Sequence, residues 1–422
     1  MRVFLATLVA IGALLGGTAS GALARRSPRA RAAQSSLRSA LSKNMRAAGR
    51  SSSAYVVDLR TGRALFASAA AIRRVPASVE KLYTTSTALL RFGPAATLAT
   101  GVQGIGALDS TGVWHGTLYL RGGGDPTFGS ASFDQSAYGT GATMQQLVAN
   151  LARRTSVRSV SGTIVGDESY FDSLRGTSKS DFQFDPYMEG SLSAVAYHRG
   201  LVSDGSSYVL HPALYAAQQF AVALRAAHIR VPSQTPIRAG VTPAGAQALA
   251  SVASPPMATL IRLTNTPSDN FFAEMLLKGI GAKFGGSGTT AGGAAVVRAQ
   301  LASSFGIRPL LVDGSGLSYS DSTSPRQVVS LLRGMAGNQA FVNSLAVAGE
   351  TGTLQNEMNR TLAQDRCRGK TGTLSGVASL AGYCTAFDGH ALAFAFLMNG
   401  VNSAGGHLLE QRMAVALARY DG

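Results

Sequence analysis

A serine and a lysine three positions apart, Ser78 and Lys81 in "PASVEKLYTT", are the first residues whose types and spacing could support catalysis. The chain has only six lysines among its 38 basic residues. Arginine stays protonated, whereas burial or a neighbouring cation can bring lysine to the neutral form that accepts a proton. The pair is therefore a candidate nucleophile and base. The alternative is a helix cap followed by a solvated lysine.

Two later stretches carry residues of the same kinds. Ser268 and Asn270 follow Pro267 at the start of a predicted helix, in "TNTPSDNFFAEMLL". Lys370 lies on a predicted strand in "GKTGTLSG", where small residues allow the backbone to approach a ligand closely. Each feature also has an ordinary structural explanation, an N-cap for Ser268 and a strand lysine for Lys370.

The three motifs follow one another as Ser-x-x-Lys, Ser-x-Asn and Lys-Thr-Gly, the set found in penicillin-binding proteins and class A β-lactamases. The chain resembles, in particular, the low-molecular-mass class C penicillin-binding proteins of the penicillin-binding-protein-4 type. These are the D-alanyl-D-alanine carboxypeptidase/endopeptidases of peptidase family S13. The resemblance covers most of the chain from about residue 53, and the other matching stretches are "GGGDPT" (122–127), "DGSGLS" (313–318) and "GKTGTLSGVASLAGY" (369–383).

For acyl transfer from an amide, the resemblance and the chemistry of the side chains imply a set of catalytic roles. Ser78 is the expected nucleophile and neutral Lys81 its base. The charge of Lys370 and the dipole of the helix at Ser78 are expected to lower the pKa of Lys81. Ser268 is expected to relay the proton to the leaving amine, and Asn270 to hold Lys81.

The same reasoning assigns the substrate-binding groups. Lys370 and Thr371 suit the terminal carboxylate of a D-Ala-D-Ala stem peptide. The backbone N–H groups of Ser78 and Thr373 are the expected oxyanion hole by family analogy. Two acids of the segment "FQFDPYMEGSLS" (182–193), Asp185 and Glu189, are candidates for reading an ammonium group of the stem. This segment is the weakest match to the family, and both acids could equally be solvated.

The sequence therefore predicts a penicillin-sensitive serine D-Ala-D-Ala carboxypeptidase or D,D-endopeptidase, with peptidoglycan as substrate and β-lactams as covalent inhibitors. A serine β-lactamase and a non-catalytic wall-binding homologue are the alternatives. No cofactor or metal is expected, because the six histidines lack metal-ligand spacing and no HExxH motif is present. The glycine-rich stretch "LRGGGDPTFG" lacks the lysine of a phosphate-binding loop.

The pattern of elements predicts one discontinuous α/β domain with an insert, and the family resemblance implies its transpeptidase-like form. With 422 residues, 45% hydrophobic and 14% charged, the chain can form more than one packed domain. We predict an α/β (α+β) transpeptidase-like domain, an antiparallel sheet flanked by helices, formed by residues 51–97 and 254–422. A β-rich insert of residues 98–253 interrupts it, at the position where the family carries its extra domains.

The N-terminus predicts export. Residues 1–24 have the layout of a secretory signal peptide, with an apolar run and a small-residue end, and the alternative is an uncleaved N-terminal anchor. Residues 25–50 form a basic arm with eight arginines or lysines and no acid, within a formal net charge of +16. Anionic wall polymer or a membrane surface is the expected partner of this arm, and no nucleic-acid motif is present. The alternative is a solvated arm that aids export or solubility.

The two cysteines fit an oxidising compartment. The stretches around Cys367 and Cys384 predict two strands joined by a tight turn near Ser375 and Gly376. That register places the cysteines opposite each other, within reach of a disulfide. The alternative is a pair of buried free thiols.

Overall fold

The structure is a computed structural model that describes residues 28–202 and 207–422. The predicted signal peptide, residues 1–24, lies outside the described residues. Among the helices that are described, none is long and apolar enough to cross a membrane.

Eleven α-helices accompany the two sheets in the described residues. The α-helices are α1 Pro28–Ala47, α2 Lys81–Phe92, α3 Ala131–Ala137, α4 Met144–Thr155, α5 Pro212–Ala226, α6 Met257–Asn265, α7 Asn270–Phe284, α8 Thr290–Phe305, α9 Pro325–Met335, α10 Gln339–Val342 and α11 Ser403–Ala418. Short 3₁₀ turns occur at Ala77–Glu80, Ser178–Ser180, Pro186–Met188, Tyr197–Gly200 and Gly352–Leu354.

The strands form one antiparallel and one mixed sheet. They are β1 Ser52–Asp58, β2 Ala64–Ser68, β3 Ala99–Leu108, β4 Val113–Arg121, β5 Ser159–Asp167, β6 Ile237–Ala239, β7 Gln247–Ala253, β8 Ala346–Val347, β9 Cys367–Leu374, β10 Val377–Thr385 and β11 Ala391–Asn399.

The first sheet has the order β2-β1-β11-β10-β9-β8, with every neighbouring pair antiparallel. Its central strand β11, "ALAFAFLMN", is buried on both faces because helices cover both. Phe394 and Phe396 pack with α1 and α11, whereas Ala395 and Leu397 belong to the core shared with α2 and α6–α9. Successive strand residues point to opposite faces, so a continuous apolar run suits this position. The predicted α/β class, an antiparallel sheet flanked by helices, is confirmed.

The second sheet has the order β6-β5-β4-β3-β7 and mixes parallel and antiparallel pairs. All five strands lie within residues 99–253 and share a hydrophobic cluster that includes Trp114 and Phe220. The insert is not self-contained, however, because Phe171 and Met188 belong to the main helical core. The boundaries at residues 98 and 253 remain a prediction.

The N-terminal arm differs from the sequence interpretation, which set residues 25–50 apart from the fold. Residues 28–47 form α1, and Leu37, Leu41 and Met45 are buried in a cluster with residues of α11. These three apolar residues recur every four positions, the spacing of one helix face. The sequence interpretation gave more weight to the many arginines of this segment than to its apolar stripe. The arginines of α1 are exposed, since their charge is hydrated there, whereas the apolar stripe packs in the core.

The C-terminal hairpin has the predicted register. Strands β9 and β10 are joined through Ser375 and Gly376, and Gly376 has a φ of 75° that suits glycine. Cys367 pairs with Cys384, and the two residues form a disulfide with a Cα–Cα distance of 4.1 Å. The predicted disulfide is confirmed.

Candidate active site

Ser78 lies on a sharp turn that leads into α2. Pro76 precedes the 3₁₀ turn Ala77–Glu80, and Ala77 adopts a left-handed φ of 48°, which is uncommon for alanine. The neighbouring loop approaches so closely that a Cβ at Gly316 would lie 2.0 Å from the Ala77 carbonyl oxygen. Packing on both sides therefore holds the candidate nucleophile, which is half-buried.

Lys81 is the first residue of α2 and is fully buried. Its Nζ donates hydrogen bonds to Ser78 Oγ at 2.8 Å, to Asn270 Oδ1 at 2.5 Å and to the Ser315 carbonyl at 2.7 Å. An ammonium group has three N–H donors, and each of them has an acceptor here. The contact with Ser78 lies within the reach that a base needs to take a proton from a nucleophile.

The Ser315 carbonyl is held in place by two buried acids. Glu274 Oε1, from α7, accepts the backbone N–H of Ser315 at 2.7 Å and that of the preceding glycine at 2.8 Å. Asp313 accepts two further N–H groups of the same loop, at 2.7 and 2.8 Å. The loop "DGSGLS" thus presents the Ser315 carbonyl to Lys81, while Glu274 and Asp313 accept the N–H groups of the loop.

Burial lowers the pKa of Lys81 to about 8, because the ammonium form loses its hydration. Four acidic side chains oppose this effect: Asp313, Asp269, Glu274 and Glu80. A lowered pKa was expected, but its cause is burial rather than the charge of Lys370 or the helix dipole. Lys81 is therefore neutral in a minor fraction of molecules at pH 7, a fraction that grows as the pH rises through about 8.

The second motif forms the turn between α6 and α7. Ser268 has a left-handed φ of 70°, and Asp269 caps α7 by accepting the Phe272 N–H at 2.9 Å. Two residues after Ser268, Asn270 turns its Oδ1 to Lys81 and donates from Nδ2 to the Tyr187 carbonyl at 2.6 Å. The structure thus joins the second motif to the first through Asn270.

The third motif lies on β9 beside the first. Lys370 is fully buried, and its Nζ donates to the Thr371 carbonyl at 2.8 Å. Burial and the nearby charge of Lys81 hold the pKa of Lys370 well below its usual value. Both effects disfavour the ammonium form, which an arriving anion would restore.

Strand β9 lies close to the nucleophile and has a free edge. Strand β8 pairs only with Arg368 and Gly369, so residues 370–374 have a free edge. A Cβ at Gly372 would lie 3.0 Å from the Ser78 backbone nitrogen and 2.6 Å from the Pro76 carbonyl oxygen. Since a two-residue turn makes the flanking pair the hydrogen-bonded one, the next pair, Thr373 and Ala378, is not. The Thr373 N–H therefore points to the free edge of β9, one residue beyond the glycine that the Ser78 turn approaches.

Comparison with known proteins identifies the family. The sequence profile of the D-Ala-D-Ala carboxypeptidase 3 (S13) family matches residues 33–203 and 187–420. The chain belongs to this family. The predicted resemblance to family S13 is thereby confirmed.

Individual relatives of this S13 chain are moderately similar. It is 28% identical to a D-alanyl-D-alanine carboxypeptidase of Actinomadura sp. (strain R39), over 89% of this chain and 82% of the relative. It is also 28% identical to the carboxypeptidase DacB of Mycolicibacterium smegmatis, over 85% and 79%. Penicillin-binding protein 4 of Haemophilus influenzae has a similar fold, with a TM-score of 0.75 at 19% identity over 90% of this chain and 99% of that one. That protein has also been solved in complex with a β-lactam, and this second structure has a TM-score of 0.69 at 18% identity over the same shares of the two chains.

The two acids expected to read an ammonium group have different surroundings in this S13 structure. Asp185 is buried, accepts the Tyr187 N–H at 2.9 Å and lies 3.9 Å from Lys179 Nζ. The side chain of Glu189 is 74% exposed. Asp185 thus caps the turn Pro186–Met188, and Glu189 is the acid that a ligand could reach. Their proposed role in substrate recognition stays a prediction.

Arg199 is a residue that the sequence interpretation missed. Its guanidinium is buried and forms two hydrogen bonds with Asp269, at 2.6 and 3.1 Å, over the ring of Phe271 at 4.9 Å. Arg199 also donates to the Glu189 carbonyl at 2.7 Å. It therefore fastens the insert to the turn that carries Asn270. No local pattern marks this arginine, because its partner lies 70 residues away.

Proposed function

We propose that this protein is a penicillin-sensitive serine D-Ala-D-Ala carboxypeptidase, D,D-endopeptidase or both, acting on peptidoglycan stem peptides. The observation that carries the proposal is the set of contacts of the buried Lys81, whose Nζ lies 2.8 Å from Ser78 Oγ. Family membership and the names of the relatives supply the substrate class.

Acylation begins with Lys81 in its neutral form. Lys81 takes the proton of the Ser78 hydroxyl while Oγ bonds to the carbonyl carbon of the penultimate D-alanine. The proton then passes from Lys81, by way of Ser268, to the amide nitrogen as the C–N bond breaks. The last residue leaves as an amine, and the stem stays on Ser78 as an ester. Asn270 keeps Nζ aligned throughout.

Two groups of donors bind the substrate in this scheme. The free edge of β9 and the start of the 3₁₀ turn offer the N–H groups of Thr373 and Ser78 to the developing oxyanion. Lys370 and Thr371 bind the terminal carboxylate, which supplies the counter-charge that the buried Lys370 lacks. Deacylation repeats the chemistry with water, whose proton goes to Lys81 and then to Ser78 Oγ as the ester bond breaks.

The same site explains β-lactam sensitivity. A penicillin has a reactive amide and a carboxylate, so it meets both Ser78 and Lys370. The Haemophilus influenzae relative binds a β-lactam in its crystal structure, which supports the same behaviour in this chain.

The test is covalent labelling with a fluorescent penicillin. The wild-type protein is expected to keep the label, and Ser78→Ala to lose it while it retains its circular dichroism spectrum and melting temperature. Retained label in Ser78→Ala would rule out the assigned nucleophile. Rapid turnover of the label would point instead to a β-lactamase, and an unlabelled wild type to a non-catalytic homologue.

We also propose that the protein is exported and acts at the cell wall. The peptidoglycan substrate requires this location. The exposed basic face of α1, with Arg31, Arg38 and Arg46, supports contact with anionic wall polymer or a membrane surface. Sedimentation with purified wall or anionic vesicles, at rising salt, tests it. Binding that Arg→Gln changes on this face do not weaken would contradict the proposal.

A further inference from the structure

A histidine and a glutamate of α11 form a pair beside the third motif. Thr373, which is exposed, lines a cavity of about 240 Å³ next to the free edge of β9. His407 Nε2 lies 2.8 Å from Thr373 Oγ1, and His407 Nδ1 lies 2.9 Å from Glu410 Oε2. Glu410 is buried, and His407 is half-buried. The three side chains therefore form one hydrogen-bonded row that ends at Thr373.

The protonation of this pair decides which way the Thr373 hydroxyl points. When the pair holds one proton, that proton lies between Nδ1 and Glu410, and the bare Nε2 accepts the hydroxyl hydrogen of Thr373. With a second proton, Nε2 bears hydrogen whether the charge rests on an imidazolium and a carboxylate or both groups are neutral. Nε2 then donates to Thr373 Oγ1, and the hydroxyl hydrogen is free to point elsewhere.

The charges around the row favour the second proton. The hydrogen bond to Glu410 raises the pKa of His407, burial opposes this, and the charges of Glu410 and Glu357 raise it further. Burial raises the pKa of Glu410 to about 7. Glu357 lines the same cavity as His407 and is hydrogen-bonded to Gln411, and strand β9 contributes the hydroxyls of Thr371 and Thr373. The two acids are the charged groups among the residues that line the cavity with His407.

The other threonine of the motif has a different partner. The Thr371 hydroxyl donates to Thr353 Oγ1 at 2.8 Å. Of the two motif hydroxyls, Thr373 is thus the one that shares a hydrogen bond with a titratable side chain.

We propose that His407 and Glu410 are positioning residues that set the Thr373 hydroxyl as a donor to the terminal carboxylate of the substrate when the pair carries its second proton. This inference rests on the proposed function. When the pair loses that proton, Thr373 turns its hydrogen to Nε2 and presents a lone pair to the carboxylate. Substrate affinity then falls, while the acylation chemistry at Ser78 and Lys81 is not directly altered.

The expected signature is a split between KM and kcat. For a peptide that ends in D-Ala-D-Ala, KM should rise about tenfold as pH passes through the upper titration of the pair, the size of one lost hydrogen bond to a charged group. The rise should appear in KM and not in kcat. A substrate whose terminal carboxylate is amidated should show no such rise.

Two variants test the direction of the effect. His407→Gln retains an N–H donor to Thr373 at every pH, so KM should stay low and become independent of pH. Glu410→Gln removes the carboxylate that stabilises the imidazolium, so the midpoint of the KM rise should move down by about one pH unit. His115→Gln is the matched control, because His115 forms a similar pair with Asp109, at 2.8 Å, in the insert. It should leave the KM profile unchanged.

A direct measurement does not depend on folding of those variants. In Ser78→Ala, the imidazole resonance of His407 can be titrated by NMR with and without a D-Ala-D-Ala peptide. A bound carboxylate should raise the pKa of His407, since ligand and proton binding are linked. An active wild type with a pH-independent KM, an unchanged KM profile in Glu410→Gln, or an unshifted His407 titration would overturn the inference. A wild type that neither hydrolyses the peptide nor takes the penicillin label would overturn the proposed function instead.

Discussion

The surroundings of Lys81 and Lys370 differ, although both side chains are fully buried in one site. Lys81 donates hydrogen bonds to Ser78, Asn270 and Ser315. Four nearby acids raise its pKa against the effect of burial. Lys370 donates to the adjacent Thr371 carbonyl, and no acid in the described part of the chain raises its pKa. The protein supplies an acceptor for each of the three donors of Lys81, whereas Lys370 has no counter-charge among the groups that shift its pKa.

This difference assigns the two lysines to different steps. The acids near Lys81 limit the fall of its pKa to about 8, so the group can change protonation during turnover. Lys370 instead gains stability when a substrate carboxylate arrives, because that anion favours the ammonium form. In the proposed function, the same residue type is thus a base where acids surround it and an anchor for the substrate carboxylate where they do not.

The largest effect is expected from Lys81→Arg. Arginine keeps the positive charge but cannot act as a base near neutral pH, so acylation by penicillin should fall by about 10²–10⁴-fold, the usual contribution of a general base. The rate of labelling measures the change. Lys278→Arg is the matched control, because Lys278 is also fully buried but pairs with Asp172 at 2.5 Å, outside the site. Equal rates for Lys81→Arg and wild type would remove the distinction between the lysines.

The second largest effect on activity is expected from Lys370→Ala. Loss of a hydrogen bond to a charged group costs about 1.5–3 kcal/mol, so kcat/KM for carboxylate-bearing substrates should drop by about one to two orders of magnitude. Analogues without the carboxylate should lose much less. The ratio of the two decreases in kcat/KM measures how much Lys370 contributes to binding the carboxylate. Equal decreases would mean that Lys370 has a structural role.

Glu274→Gln should shift a pH profile instead of abolishing activity. The rate of acylation should rise with pH through the pKa of Lys81, about 8, because the neutral amine is the reactive form. Glu274 raises that pKa, so its removal should lower it and move the rise to lower pH by about one unit or less. The glutamine oxygen can still accept the N–H of Ser315. Rates measured from pH 5 to 10 test this, and a shift to higher pH would contradict the assigned role of the acids.

The smallest effect is expected in the insert. Glu189→Gln should lower kcat/KM about two- to fivefold for stems with a free amine, within the range of exposed ion pairs. Acetylated stems should be unaffected. Asp185→Asn should have less effect, since the asparagine oxygen can still cap the turn Pro186–Met188. If neither variant separates the two substrates, the ammonium group is bound elsewhere or not at all.

The sequence by itself determined the family and the local geometry. The order of Ser78, Lys81, Ser268, Asn270 and Lys370 was sufficient to indicate the family, because each motif is a contiguous stretch. The hairpin register, with Cys367 opposite Cys384, also follows from local information, since a two-residue turn leaves one pairing available. Helix α9 also begins at a local signal, the capping box of Ser324 and Gln327.

Only the tertiary structure decided what surrounds those motifs. The Ser315 carbonyl lies 234 residues from Lys81 along the chain, and the N–H groups that hold it in place are bonded to Glu274, 41 residues from Ser315. Arg199 reaches Asp269, His407 reaches Thr373, and α1 packs on α11, all across long separations. Periodicity shows that a helix or strand face is apolar, and residue type shows that a side chain can ionise. Neither shows which surfaces meet in the folded protein. The pKa of Lys81 and the position of the Thr373 hydroxyl depend on that meeting, because burial and neighbouring charges set both.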